Sequence, residues 1–236
     1  MFKHRRASVA ALSLLGALLA APTAARAQRP AEPWFTDLEL ATEAPLSAGG
    51  RLVVESPSRF RLGVGVGVVP QAYVEFINQI ALATGGYDEE TGEVVTSSIS
   101  RSVVFRVDLG WKPIPGYGFY VQGGYRRMRF GGEVGGSPLF ALIEEAEPAQ
   151  PDFYTYDVES TLHALDVELG WQWLLPAQLT LRAGLGFAAT LGAEVKVEPL
   201  RAIDLYRRDI EETLTDVYGR YGFAPTLVLA AGVRLD

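Results

Sequence analysis

Catalysis and metal binding need particular side chains at particular spacings, and this chain offers few of them. It has two histidines and no cysteine. Without cysteine there are no disulfides, no thiolate metal site, no sulfur nucleophile and no lipidated N-terminal cysteine. His4 belongs to a basic leader, which leaves His163 as the imidazole that could act as a base. Glu159 and Ser160 lie just before it, yet no spacing among the three makes a nucleophile, base and orienting acid. Asp88, Glu89, Glu90 and Glu93 gather around Gly92, and Glu144, Glu145 and Glu147 form a second acidic group. Calcium takes oxygen ligands, but a calcium loop alternates them regularly and neither group does, so solvated acidic loops are expected. Gly63, Gly65 and Gly67 keep the two-residue period of a strand, and no helix follows them in phosphate-binding register. No catalytic residue, cofactor or metal ligand is assigned.

The first 27 residues explain where the chain goes. Lys3, His4, Arg5 and Arg6 precede an apolar run from Val9 to Ala21, and Ala25-Arg26-Ala27 stands before Gln28. This is the layout of a secretory signal peptide with a small-residue cleavage site. The run is about a dozen residues, short of the ~20 that cross a bilayer as a helix, so cleavage rather than anchoring is expected. Removing Lys3, Arg5, Arg6 and Arg26 with the leader takes the formal charge from −7 to −11. An acidic mature chain has no basic footprint for nucleic acid. Residues 28–236 are expected to form one domain, with no later stretch apolar enough for a transmembrane helix.

Alternation identifies the elements of that domain. From Leu179 to Val197 the odd positions are apolar throughout, while the even positions include Thr180, Arg182, Gly184, Gly186, Glu194 and Lys196. Side chains on a strand point to opposite faces in turn, so this is one long strand with an apolar face and a small or charged one. The pattern recurs where Val103, Phe105, Val107, Leu109 and Trp111 oppose Arg106, Asp108 and Gly110. It recurs again where Leu165, Val167, Leu169, Trp171 and Trp173 oppose Asp166, Glu168, Gly170 and Gln172. Leu62 to Val68 oppose Arg61 and three glycines, and Leu227 to Leu235 oppose Thr226, Ala230, Gly232 and Arg234, with Val228 as an exception. Shorter matches set Leu38 and Leu40 against Asp37 and Glu39, and Leu52 and Val54 against Arg51 and Glu55. Phe119 to Phe130 is ambiguous, because either parity leaves an arginine on the apolar face.

About eight strands result, joined by connections of two kinds. Pro57 to Arg59, Lys112 to Gly116 and Leu175 to Ala177 are tight turns; Gln71 to Ser98, Gly131 to Asp157 and Glu198 to Arg220 are long, with a shorter link from Glu43 to Gly49. Short turns at one end and long loops at the other suit an antiparallel up-and-down transmembrane β-barrel. Trp111, Trp171 and Trp173 would form an aromatic girdle at one interface, and Tyr154, Tyr156, Tyr218 and Tyr221 one at the other. The long loops carry helical periods. Tyr73, Phe76, Ile77 and Ile80 align between Pro70 and Gly85, and Leu200, Ile203, Ile210, Leu214 and Val217 align between Pro199 and Gly219. A weaker helical signal covers Leu139 to Glu147. The first two helices are expected to pack on each other over the barrel mouth, Phe76, Ile77 and Ile80 against Ile203, Ile210 and Leu214.

Alternation does not say which face is inside, and a soluble lipocalin-like barrel would place the apolar face inward. Glycines on the polar face argue for a narrow interior that needs space. Mixed charges on that face, Arg61, Arg106, Arg182 and Arg234 with Asp108, Asp166 and Glu168, argue for an internal ion-pair network.

From Asp37 to Leu235 the pattern resembles the small outer-membrane barrels of the OmpA and OmpX type. That resemblance implies an outer-membrane location, with membrane lipid around the barrel; the loops, with their apolar helix faces, are where an extracellular partner is expected. Such barrels usually close on an aromatic residue, where this chain has Val233-Arg234-Leu235-Asp236. Some outer-membrane lipid hydrolases place a lipid-facing histidine beside a serine two residues on. Leu165 stands there, so His163 is expected as an interfacial polar side chain. The expected function is non-enzymatic: a charge-plugged barrel serving surface interaction or envelope integrity, with a narrow channel for small solutes as the alternative.

Overall fold

The eight segments that β-branched, aromatic and alternating residues favour are all strands: β1 Phe35–Ala44, β2 Ser47–Glu55, β3 Phe60–Val68, β4 Arg101–Trp111, β5 Phe119–Gly135, β6 Thr155–Leu174, β7 Leu179–Pro199 and β8 Phe223–Leu235. The structure, a computed structural model, describes residues 33–84, 92, 96–97, 99, 101–141, 154–199, 207–220 and 223–235. The leader, the acidic loop residues, and Leu200, Ile203 and Tyr221 lie outside the described residues, as do the side chains of Val217 and Tyr218.

Each strand pairs antiparallel with the next, and β1 pairs with β8 from Thr36 opposite Leu235 to Ala44 opposite Leu227, so the sheet closes on itself. Within the closed ring each strand is paired on both sides. Both ends of the barrel sequence lie at the end with the short turns. There, three residues from Pro176 to Gln178 form the turn between β6 and β7, and Gly118 lies before β5 with a φ of 69°. A side chain at Gly118 would also run into the Gln172 carbonyl, so this turn requires glycine twice over.

Among the described residues three helices occupy the opposite end: α1 Gln71–Thr84, α2 Gly136–Ala141 and α3 Arg207–Arg220. The first has the expected bounds. The third is described from Arg207, and β7 occupies Glu198 and Pro199, where that helix is expected to begin; the helix expected from Leu139 begins earlier, at Gly136. The Glu43 to Gly49 link is also shorter than expected, since β1 continues to Ala44 and β2 begins at Ser47.

Strand lengths are unequal. β1 to β3 have 9 or 10 residues, while β5, β6 and β7 have 17, 20 and 21. The long three continue past the others as a three-stranded extension. Between Thr190, paired with Ala164, and Gly192, paired with His163, Leu191 is an extra residue in β7. A bulge of this kind reverses which face later side chains take. The continuous apolar face expected from Leu179 to Val197 is therefore split. Through Leu191 the odd residues point outward; beyond it Ala193, Val195 and Val197 pack inward, and Glu194, Lys196 and Glu198 are exposed.

Candidate functional site

Facing is settled by exposure. Leu185 is 69% exposed and Leu40 75%, whereas Arg182 and Arg61 are each 2% exposed. The belt of outward residues includes Leu62, Val64 and Val66 on β3, Val103, Phe105 and Leu109 on β4, Leu165, Val167 and Leu169 on β6, and Leu227 and Leu229 on β8. A patch this extensive is tolerated where the surrounding solvent is lipid. The soluble alternative, with its apolar face inward, does not describe this molecule.

At the turn end the belt is edged with rings. Phe60 stacks on Trp111 with centroids 6.5 Å apart, and Phe119 meets Trp171 at 5.0 Å, while Trp173 is half exposed beside them. At the loop end Tyr125 pairs with His163, its hydroxyl against Nδ1, and Phe187 stacks on Phe223 at 5.8 Å. Tyr156, expected in that second girdle, is instead 1% exposed. It lies on the extension, at an inward position, where Phe140 meets it edge-on. His163 points outward and Ser160 is buried inward on the same strand, so the two do not meet.

Inside the barrel the charges form one network. Arg234 forks onto Asp37 with its Nε and Nη2, at 2.9 and 3.1 Å, and Gln172 donates to the same carboxylate at 2.8 Å. Next to this layer, Lys112 reaches Glu55 at 2.5 Å, and Arg61 lies 3.9 Å from both Glu39 and Glu55. Lys112 belongs to the turn after β4, and burial there, with Arg61 nearby, holds its ammonium below the ordinary lysine range. Tyr120 fills the middle. The Arg61 guanidinium lies 4.7 Å from its ring centroid, and the Tyr120 hydroxyl donates to Glu168.

Glu168 and Arg106 are the two hubs. Glu168 accepts from Arg182 at 2.9 Å, Gln122 at 2.6 Å, Arg106 at 3.1 Å and Tyr120. Arg106 also donates to Asp166 at 2.5 Å, to Glu43 and to Asp108. Arg51 pairs with Asp108 at 2.7 Å, and Arg182 with Glu39 at 3.1 Å. The buried acids Asp37, Glu39, Glu43, Glu55, Asp108, Asp166 and Glu168 are matched in number by Arg51, Arg61, Arg106, Arg126 and Arg182 together with Arg234 and Lys112. That balance is what a low-dielectric interior demands, since an unmatched buried charge costs several kcal/mol, on the order of 3–5.

All seven charges assigned from sequence, Arg61, Arg106, Asp108, Asp166, Glu168, Arg182 and Arg234, line this lumen. Asp37, Glu39, Arg51 and Glu55, which alternation set on the polar face, belong to the network although they were not assigned to it; Glu43, Lys112 and Arg126 were missed, along with Tyr120 and Gln122. Glycines make the room. A Cβ at Gly184 would stand 2.9 Å from the Tyr120 hydroxyl and 3.0 Å from Glu168, and one at Gly63 2.8 Å from Arg51.

Toward the loop end the lumen changes character. Val104, Met128, Phe130, Leu162 and Ala164 form a buried apolar layer inside the wall, with Val69, Ile99 and Ala193 against it. Farther along the extension, Ile210 and Leu214 of α3 join Leu139 and Phe140 of α2 on Val134, Tyr156, Val158 and Val197. This is where the structure departs from the expected cap. Ile210 and Leu214 are each 2% exposed against the strands, whereas Phe76, Ile77 and Ile80 of α1 are 57%, 38% and 48% exposed. Among the described residues the two helices do not share a seam: the extension of β5 to β7 supplies α3 with an apolar partner of its own. Among the described residues no group of acids and histidines is arranged to hold a metal ion.

An apolar outer belt around a lumen of paired charges defines a membrane-spanning β-barrel. Neither a family model nor a curated protein matches the chain. Among solved structures it is similar to the N-terminal β-barrel domain of Pseudomonas aeruginosa OprF, at 9% identity over 86% of this chain and 96% of that one, TM-score 0.43. It is similar to a major outer membrane protein from Thermus thermophilus, at 17% identity over 86% and 100%, TM-score 0.48. Acinetobacter baumannii CarO is a third, at 11% identity over 87% and 99%, TM-score 0.38.

Proposed function

We propose that this chain is a non-enzymatic outer-membrane barrel that does not conduct, acting in surface interaction or envelope integrity through the elements beyond its rim. The observation that carries this reading is the double closure of the lumen. Ion pairs cross it from wall to wall, and an apolar layer follows them toward the loop end. An eight-stranded barrel has an interior just wide enough to be filled by side chains. Between Glu43, Ser47, Arg51, Arg106 and Val104 lies a recess of about 20 Å³, room for about one water. A solute would have to part Arg106 from its carboxylates and then cross Met128 and Phe130. Export by the leader and residence among outer-membrane lipid complete the proposal.

The test is electrical. Purified mature protein in planar bilayers should give no discrete current steps across a range of voltages. Reproducible unitary steps, altered by Arg106→Met, would replace this reading with that of a narrow channel.

A further inference from the structure

The geometry points to α1 as an interfacial helix that lays Phe76 and Ile77 into the membrane surface beside the barrel. The inference rests on the membrane reading above. Two helices of equal length stand at the loop end, 14 residues each, and they treat their apolar residues in opposite ways. α3 hides Ile210 and Leu214 against the strand extension. α1 leaves Phe76, Ile77 and Ile80 more than a third exposed, while Val74, on another side of the helix, is 4% exposed and faces protein.

Position explains the difference. α1 follows β3, one of the short strands, and only Val69 and Pro70 separate it from Val68, an outward residue 51% exposed on the apolar belt. Two extended residues span about 7 Å, so the helix begins at the belt's edge. Tyr73 shares the face of Phe76, Ile77 and Ile80 at helical spacing, and its hydroxyl bonds Thr42. Thr42 has the outward parity of Leu38 and Leu40, so this contact directs the apolar face toward the lipid side of the wall. The only charged residue of α1 is Glu75, exposed on the side away from Ile77 and Ile80; Gln79 flanks Phe76 between that side and the stripe. An uncharged apolar stripe continuous with the belt fits hydrocarbon at the headgroup boundary, and offers nothing to a charged partner.

The absence of cysteine makes the test direct, because one introduced cysteine takes one spin label. Phe76→Cys, Ile77→Cys, Glu75→Cys and Leu185→Cys would each be labelled in the full mature chain, reconstituted in phosphatidylcholine vesicles. Collisions with oxygen and with a water-soluble nickel chelate are then compared. The expected result is an oxygen-to-nickel ratio severalfold higher at positions 76 and 77 than at 75, approaching that at 185. Labels at 76 and 77 that meet nickel as freely as the label at 75 would overturn the inference, as would labels shielded from both reagents by protein. If position 185 itself proves aqueous, the membrane reading has failed; if 185 is lipidic and 76 aqueous, only the helix placement has.

Discussion

Arg126 on β5 donates to Glu43 on β1 at 2.6 Å, although these strands are opposite one another in the eight-membered ring. Nε of the same arginine lies 3.9 Å from Asp166 on β6, and Arg106 on β4 reaches both Glu43 and Asp166. At this level the lumen is thus braced across its width by charge-assisted bonds, below the apolar layer of Met128 and Phe130.

Arg106 holds the most carboxylates, so its loss leaves the most charge uncompensated. Arg106→Met should destabilise the barrel by about 3–5 kcal/mol, because Glu43, Asp108, Asp166 and Glu168 would remain buried beside a neutral residue. Urea titration of lipid-reconstituted protein, followed by tryptophan emission, measures it. An unchanged midpoint would mean the pairs contribute nothing.

Facing can be tested at one strand. Leu185→Arg should cost about 2–4 kcal/mol, because the new charge meets hydrocarbon on the outer wall. Thr180→Ser on the inner wall of the same strand should be close to neutral. Equal effects at the two positions would contradict the placement of the belt.

Space for Tyr120 comes from Gly184, whose added Cβ would crowd the hydroxyl, Glu168 and the Leu169 carbonyl. Gly184→Ala should cost about 1–3 kcal/mol by overpacking. Part of that cost should disappear in a Tyr120→Phe background, a coupling that a double-mutant cycle reads directly. Strict additivity would place the strain elsewhere.

The loop-end packing makes a prediction about proteolysis. Ile210→Asp breaks the apolar contact of α3 with β7, so trypsin should cut after Arg207 and Arg208 severalfold faster than in the unmutated chain, while the barrel strands stay protected. Phe76→Asp should leave those cuts unchanged, because α1 is no part of that cluster. Acceleration by both substitutions would restore the mutual cap of the two helices.

Much of this was legible because a strand's period is two. Leu165 to Trp173 and Val103 to Trp111 declare both their faces, and with them the lumen membership of Asp166, Glu168, Arg106 and Asp108. Arg126 was not legible. Arg127 and Arg129 occupy the other parity of β5, and only the position of the membrane edge distinguishes an arginine in water from one in the lumen. Glu43 was missed for a different reason: Pro45 and Leu46 form a two-residue connection at the loop end, so residues that read as a link are strand. The partner of α3 was invisible because it depends on how far β5, β6 and β7 outrun their neighbours, and on an extra residue in β7 that alternation alone does not register.

That extra residue, Leu191, makes one strand serve two solvents. Before it the chain is written for hydrocarbon, and after it the same hydrogen-bonded ladder is written for water, with Glu194, Lys196 and Glu198 on the face that Leu185 and Phe187 occupied. The two grammars meet without a loop between them. A foreign three-stranded sheet could therefore be spliced onto β5, β6 and β7 above this point without disturbing the part in lipid, provided the splice keeps the odd residue. Without it, every charge on the outer wall of the grafted β7 would turn toward the axis.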